Sequence, residues 1–450
     1  MKSHNLWGRY FQTKNILFLS VILETILFYL YYFPEPKLLF GDEVRYLETG
    51  FLILSGADWH SNPMWPPMQS VLIALFAKIF SHPLLPIQLF QYGLLLLSGF
   101  IIKDIIWRET RNNTSSQIAL AVMLLYPSWL AYSQYLWPEV IHVTLFVSII
   151  WINRYKNSSY NWMLLSGLLL GLVILFKSLL ILFIPFLYLP SLIKFRKKTI
   201  LIKMVLSLML AVIIITPTSI KSHQMNGGWM VSNSSMFNLY LGLEDDKRQH
   251  FSHKMAGSHY SEYTKSANTF TLRNEIVKNK ALNKISKDGY INTILAQLNK
   301  QYFRLFDYQT FFSQQFAGKA SDNYLGNYHH HSDEALVLII NTYNNLFYFI
   351  IVLAMFFGIT VSFNKSIIIK QFTFFLLYIL GLFLLLHAIP RFRIPLVPVM
   401  AFFSGYLYYH LSTIGFNFQK KFRVSLLLLL LVFVTFLLFA GHVLDIYFPI

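Results

Sequence analysis

The chain has 450 residues, of which 55% are hydrophobic and only 13% are charged. Soluble globular domains carry about twice that share of charge, so the composition excludes an ordinary soluble protein and indicates a polytopic membrane protein. The formal net charge is +17, but many lysines and arginines lie in short clusters between apolar runs, which is typical of cytoplasmic loops and argues against nucleic-acid binding. Because the chain has no cysteine, disulfides, thiolate metal sites and a cysteine nucleophile are excluded.

Apolar runs that approach the length of a bilayer define the predicted membrane spans. A helix needs about 20 apolar residues to cross, and basic residues favour the cytoplasmic side. Fitting run lengths to loop charges predicts about 11 transmembrane helices, with the N-terminus inside. The predicted spans are residues 16–33, 84–102, 117–133, 140–152, two short crossings within 161–190, then 200–217, 335–357, 372–386, 394–411 and 424–440.

Two apolar runs do not have the length of a single span. Residues 161–190 would form a helix about 45 Å long, so we predict two short crossings with Lys177 at the outer turn, which keeps the basic cluster at 194–198 inside. Residues 68–80 are only about 13 residues long, so we predict an interfacial or re-entrant helix there.

These spans divide the chain into three regions. Residues 1–217 form an N-terminal membrane module, whose first outer loop, 34–83, carries an acidic motif. Residues 218–334 are the only long polar region and are predicted to be an inserted extracytoplasmic domain, and residues 335–450 return to the membrane. From Asp42 onwards, apolar residues recur at helical spacing, which predicts a helix lying on the outer membrane surface.

Charged residues from distant parts of the sequence collect on the predicted outer face. They are Asp42, Glu43, Glu139, Lys177, Arg391 and Arg393. A carboxylate there can accept a proton from an attacking hydroxyl as a general base. Arginine offers a two-pronged hydrogen-bond donor to a lipid phosphate, and lysine offers a point charge.

Each of these residues also has a purely structural interpretation. Asp42 can cap the surface helix, and Glu139, which follows Pro138, is favourable at a helix N-terminus. Lys177, Arg391 and Arg393 can extend to lipid headgroups without binding substrate. The residues alone leave these alternatives open.

The order of the motifs resembles the GT-C superfamily of membrane glycosyltransferases, in particular family 39 and the bacterial relatives of protein O-mannosyltransferases and aminoarabinose transferase. The motifs that carry the resemblance are Asp42-Glu43 with Tyr46, Pro66-Pro67-Met68, Pro127 through Pro138-Glu139, Gly167 through Lys177, Asn238 through Gly242, and Arg391-Phe392-Arg393-Ile394-Pro395. Together they cover most of the chain in order.

The resemblance implies an all-α polytopic membrane protein with a GT-C-like fold, outer-face interfacial helices and one inserted domain. It implies transfer of a sugar, with inversion, from a polyprenyl-phosphate donor to a hydroxyl of an envelope glycan, lipid or protein. The site would face outwards from a bacterial cytoplasmic membrane. No cofactor is assigned with certainty and no metal ligands are named, although some relatives use a divalent metal.

The same resemblance distributes the roles among the site residues. Asp42 would be the general base, with Glu43 beside it, and Glu139 would form the second acidic motif near the acceptor. Lys177, Arg391 and Arg393 would bind the lipid phosphate. Tyr46, Pro66 and Pro67 would belong to the substrate loop.

Two other functions fit part of the pattern. One is an O-antigen polymerase or ligase that acts on a diphosphate-linked glycan, and the other is a transporter or flippase for lipids or sugars. Transporters place binding charges near the middle of the membrane and often carry internal repeats. Here the charges collect on one predicted face and no repeat is visible, which favours the enzyme.

Overall fold

The computed structural model describes residues 12–34, 37–39, 41–59, 64–157, 159–188, 198–232, 234–244, 253–308, 311–313, 315–317, 319–323, 326–330, 333–362 and 366–413. Within these ranges the regular structure is helical apart from one antiparallel hairpin, which confirms the predicted all-α class. In the hairpin, β1 (Lys319–Asn323) pairs with β2 (Gly326–His330), with Lys319 opposite His330.

The helices of the N-terminal part are α1 (Thr13–Tyr32), α2 (Asp42–Leu54), α3 (Met68–Ile79), α4 (Leu84–Thr110), α5 (Asn113–Leu125), α6 (Glu139–Tyr155), α7 (Tyr160–Phe176) and α8 (Lys198–Asn226). Those that follow are α9 (Ser235–Glu244), α10 (His253–Lys265), α11 (Phe270–Asp288), α12 (Tyr290–Gln297), α13 (Glu334–Ser362), α14 (Ile367–Leu385) and α15 (Val397–Thr413). Shorter helical segments are Pro127–Leu130, Ala131–Gln134, Ser178–Phe183, Leu298–Tyr302, Phe303–Phe306, Phe311–Ser313 and Pro390–Leu396.

The apolar helices make the chain a multi-pass membrane protein. By length and composition, 6 described helical stretches could cross a membrane, or up to 7 if the bent pair Pro127–Gln134 and Glu139–Tyr155 counts as one span. The 6 stretches coincide with the predicted spans at 16–33, 84–102, 200–217, 335–357, 372–386 and 394–411. The larger total stays a prediction, because the remaining described helices are shorter and the predicted span 424–440 lies outside the described residues.

Two helix ends differ from the sequence prediction. The predicted crossing 117–133 is interrupted, because α5 ends at Leu125 and a new segment begins at Pro127, which has no N–H to continue the helix. The predicted span 200–217 continues to Asn226 with Pro217 inside the helix, so the predicted domain boundary at residue 218 falls within α8.

Close helix contacts explain several glycines in the motifs. A Cβ at Gly167 would lie 2.3 Å from the backbone oxygen of Ser207, so α7 and α8 can touch along their backbones only with glycine there. A Cβ at Gly50 would lie 2.7 Å from Cγ2 of Ile73, which brings α2 against α3. Helix α3 has 12 residues, and its predicted place at the membrane interface stays a prediction.

A second apolar cluster joins the polar region to the first loop. Phe237 and Leu241 of α9 pack with Tyr263 of α10 and with Met64, and Trp65 packs against the same cluster. The helices after α8 therefore lie over the loop that carries the acidic motif. Met64, Trp65, Phe237 and Leu241 of this cluster also line the cavity described next.

Candidate active site

A cavity of about 870 Å³ lies where the ends of several helices meet. The predicted site residues that line it are Asp42, Tyr46, Pro66, Lys177 and Arg391. Its lining also includes apolar residues at 179–182 and 382–386 and residues at 229–232 and 234–238. The sequence prediction that residues far apart in the chain share one site is supported by this geometry for these five.

Four charged side chains form one cluster at the cavity wall. Arg391 donates to Oδ2 of Asp42 at 2.7 Å, and its Nε donates to Oε1 of Glu139 at 2.5 Å. Lys177 donates to the same Oε1 at 3.0 Å. Because two carboxylates face two cations, the cluster is neutral as a whole.

Local sequence places each of these residues at the end of a helix. Gly41, with φ of 57°, precedes α2, so Asp42 lies in the first turn. Pro138 precedes α6, so Glu139 lies in the first turn as well, where the helix dipole favours a carboxylate. Lys177 directly follows the last residue of α7, and its backbone is extended, so the chain leaves the helix at this residue.

Two backbone N–H groups of the segment before Arg391 donate hydrogen bonds to neighbouring parts of the chain. The N–H of His387 donates to the backbone oxygen of Asn238 at 3.0 Å. A Cβ at Gly242 would lie 2.7 Å from the backbone nitrogen of His387, so only glycine allows the backbone of this motif to lie this close to His387. The N–H of Ala388 donates to Oε1 of Gln301 at 2.8 Å. The motif at 238–242 and the arginine turn are therefore parts of one site.

Glu43, which the sequence grouped with Asp42 as catalytic, points away from the cavity lining. Its carboxylate is fully buried, accepts two hydrogen bonds from Lys37 at 2.9 and 2.7 Å, and accepts the Leu136 N–H at 2.8 Å. Adjacent residues of a helix differ in direction by about 100°, so only one of the pair can face the cavity. Glu43 therefore contacts Lys37 and the backbone of Leu136 outside the cavity lining.

Arg393, which the sequence predicted to bind the lipid phosphate, lies outside the cavity lining, so that role stays a prediction. It is buried, its guanidinium lies 4.1 Å from the centre of the Tyr348 ring, and it donates to the backbone oxygens of Leu305 and Asp307. Its contacts instead fasten the Pro390–Leu396 turn to the segment around residue 306.

Two further predicted residues lie just behind the cavity surface. Glu139 is fully buried and is not part of the lining, but it accepts hydrogen bonds from Arg391 and Lys177, which are. Pro67 precedes α3 as its N-cap residue, whereas its neighbour Pro66 is part of the lining.

Tyr46 lines the cavity beside the charged cluster. It is 4% exposed, and burial together with the nearby Asp42 carboxylate raises the pKa of its phenol well above the ordinary value. Tyr46 therefore keeps its proton and can act as a neutral hydrogen-bond donor.

Several cavity residues were not singled out by the sequence. Trp137 lies under Arg391, with 4.0 Å between the guanidinium carbon and the ring centre. Arg45, Trp65, Ser232 and Tyr260 also line the cavity. Arg45 follows Asp42 by one helical turn, and Trp65 and Trp137 directly precede the prolines of two motifs, so signals for these three were available; Ser232 and Tyr260 are recognisable only from the fold. Among the described residues, no group of three or more His, Asp or Glu side chains is arranged to hold a metal ion.

Comparisons with known proteins agree with this architecture. Residues 64–220 match the family model described as dolichyl-phosphate-mannose-protein mannosyltransferase. The oligosaccharyltransferase of Archaeoglobus fulgidus, solved with a tethered acceptor peptide, is similar in fold, with a TM-score of 0.51 and 14% identity over 94% of this chain and 54% of that one. The chain has the GT-C fold.

The chain spans about half the length of the archaeal enzyme, whose matched share is 54%. ArnT from Cupriavidus metallidurans, solved with undecaprenyl phosphate, is also similar, with a TM-score of 0.39 and 13% identity over 92% of this chain and 78% of ArnT. A comparison with curated protein sequences finds no match. The fold that the sequence resemblance predicted is confirmed.

Proposed function

We propose that this chain transfers a sugar from a polyprenyl-phosphate donor to an acceptor hydroxyl at the outer face of the membrane, with inversion at the anomeric carbon. The observation that carries the proposal is the Asp42–Arg391–Glu139–Lys177 cluster beside an apolar wall of the same cavity. The family model matched by residues 64–220, which is named for a dolichyl-phosphate sugar, supports the donor class.

The two cations of the cluster bind the donor phosphate. Arg391 and Lys177 both line the cavity, and Glu139 holds them from behind. When the bond between the anomeric carbon and the phosphate oxygen breaks, that oxygen takes the electron pair and the phosphate gains negative charge. Cations already fixed in place stabilise this charge without reorganising at the moment of reaction.

Asp42 is the base for the acceptor. Arg391 donates to Oδ2 of Asp42. The Asp42 side chain is 33% exposed and lines the cavity, so its carboxylate is accessible from the cavity. The acceptor oxygen attacks the anomeric carbon from the side opposite the phosphate and passes its proton to Asp42. Attack from that side inverts the configuration, and atoms and charges balance without a cofactor.

The wall of the cavity divides into parts suited to different pieces of the substrates. Apolar residues at 179–182 and 382–386 can receive the polyprenyl chain. The lining also carries Trp65 and Tyr260, whose rings lie 6.5 Å apart, and Ser232. Aromatic faces and hydroxyls suit a saccharide, so we assign this part to the sugar and its acceptor.

The direct test uses purified protein in lipid nanodiscs with a polyprenyl-phosphate sugar. We expect Asp42→Asn to lower turnover by about 10²–10⁴-fold while donor binding changes little, because the base contributes to the chemical step. Glu48→Gln is the matched control, since Glu48 lies on the same helix in an exposed pair with Arg45. Near-native turnover of Asp42→Asn would remove the base assignment, and turnover only with a diphosphate-linked donor would favour the polymerase.

A further inference from the structure

The chain is broken at the point where it approaches the active site. The segment Pro127–Gln134 and helix α6 meet at an angle of 114°, and residues 135–138 connect them. Backbone groups at such a break lose their helical partners, and inside a membrane protein no lipid can replace those hydrogen bonds. Side chains must therefore supply them.

Three buried glutamines bind the backbone oxygens along this break. Gln91 of α4 donates to Ser133 at 3.0 Å and to Tyr135 at 2.8 Å. Gln88, one turn earlier on α4, donates to the backbone oxygen of Gln134 at 3.1 Å. Gln69 of α3 donates to Leu136 at 2.9 Å. Four consecutive carbonyl groups, 133–136, are thus bound by amide side chains from two other helices.

Glu43 completes the set from helix α2. It accepts the Leu136 N–H at 2.8 Å, so Leu136 is bound on both its backbone groups. Lys37 neutralises the buried carboxylate and lies 4.4 Å from the centre of the Tyr135 ring. Glu43, the residue after Asp42, therefore connects helix α2 to the broken segment through this hydrogen bond.

The segment held in this way leads directly into the charged cluster. Trp137 supports the Arg391 guanidinium, and Glu139 bonds both Arg391 and Lys177. A shift of the break would move both supports together, and errors of about 1 Å in such positions can cost about 10²-fold in rate.

We propose that Gln69, Gln88, Gln91 and Glu43 are positioning residues that hold the broken helix so that Trp137 and Glu139 fix Arg391 against the substrate. Amides suit this task because each supplies two N–H donors without adding charge. The kinetic part of this inference rests on the proposed function, whereas the structural part does not.

The test removes the donors without changing the shape of the core. Gln91→Met keeps the length of an unbranched side chain but leaves two carbonyls without their donor. Gln371→Met is the matched control, because Gln371 is also buried and donates to a single backbone oxygen, that of Leu187, at 2.9 Å. Gln69→Met serves as the second variant should Gln91→Met fail to fold.

Two readouts separate positioning from general loss of stability. In hydrogen–deuterium exchange, we expect the amides of residues 133–137 to exchange at least about tenfold faster in Gln91→Met than in the native chain, and at the native rate in Gln371→Met. In transfer assays, we expect kcat to fall at least about tenfold in Gln91→Met with little change in donor KM.

Native exchange of the amides at 133–137 in Gln91→Met, or equal acceleration in Gln371→Met, would overturn the inference. Equal loss of kcat in both variants would overturn its kinetic part. Should the native chain show no transfer at all, the proposed function fails, and the exchange measurement alone then decides whether the glutamines hold the break.

Discussion

Replacing Glu139 by glutamine removes one negative charge from a buried cluster while keeping the side-chain volume. In the native chain this carboxylate is fully buried and accepts hydrogen bonds from Arg391 at 2.5 Å and from Lys177 at 3.0 Å. The variant leaves two cations opposite Asp42 alone. We therefore expect Glu139→Gln to destabilise the folded protein and to disturb the position of Arg391.

The size of the effect follows from burial. Removing one partner of a buried ion pair costs about 3 kcal/mol, because the remaining charge keeps its desolvation penalty. For a chain of 450 residues this corresponds to a drop of roughly 3 °C in the melting temperature. The melting temperature in detergent and the steady-state transfer rate are both measured on the same preparation.

Two controls show whether charge balance is the cause. Glu48→Gln removes an exposed partner of Arg45 and should leave the melting temperature unchanged. The double variant Glu139→Gln/Lys177→Met restores neutrality, so it should recover part of the lost stability but not the activity. A melting temperature of Glu139→Gln equal to that of the native chain would refute the assignment of Glu139 as the partner that stabilises both cations.

The remaining predictions concern the arginine turn and its packing. Arg391→Met should raise the donor KM at least about tenfold, because a charged hydrogen bond to phosphate is lost. Arg393→Met should lower the melting temperature with little change in donor KM. A large rise in donor KM would instead show that Arg393 binds the donor phosphate. Gly242→Ala should lower the melting temperature by about 1–3 °C through its contact with His387, whereas Gly381→Ala, which meets open space, should not. Equal melting temperatures of the two alanine variants would contradict this close approach.

The sequence predicted the elements that carry long apolar runs. Its span ends are close to those of α1, α13 and α14, and the predicted interruption at Lys177 coincides with the end of α7. Such runs are readable because bilayer thickness fixes their length. The convergence of Asp42 with Arg391 followed from topology, although 349 positions separate them.

What the sequence could not give was the direction of individual side chains. Asp42 and Glu43 are adjacent and equally charged, and only the helix rotation decides that one reaches Arg391 and the other Lys37. The same holds for Arg391 and Arg393 within one 3₁₀ turn. A glutamine such as Gln91 gave no signal, because its function depends on a break contributed by another part of the chain.

Mass spectrometry of lipids extracted from a deletion strain tests the central claim most directly. The strain is compared with strains restored by the native chain or by Asp42→Asn. We expect one polyprenyl-phosphate sugar to accumulate in both the deletion strain and the Asp42→Asn strain and to fall to its normal level with the native chain. No accumulation in the deletion strain, or a normal lipid pattern with Asp42→Asn, would contradict the account.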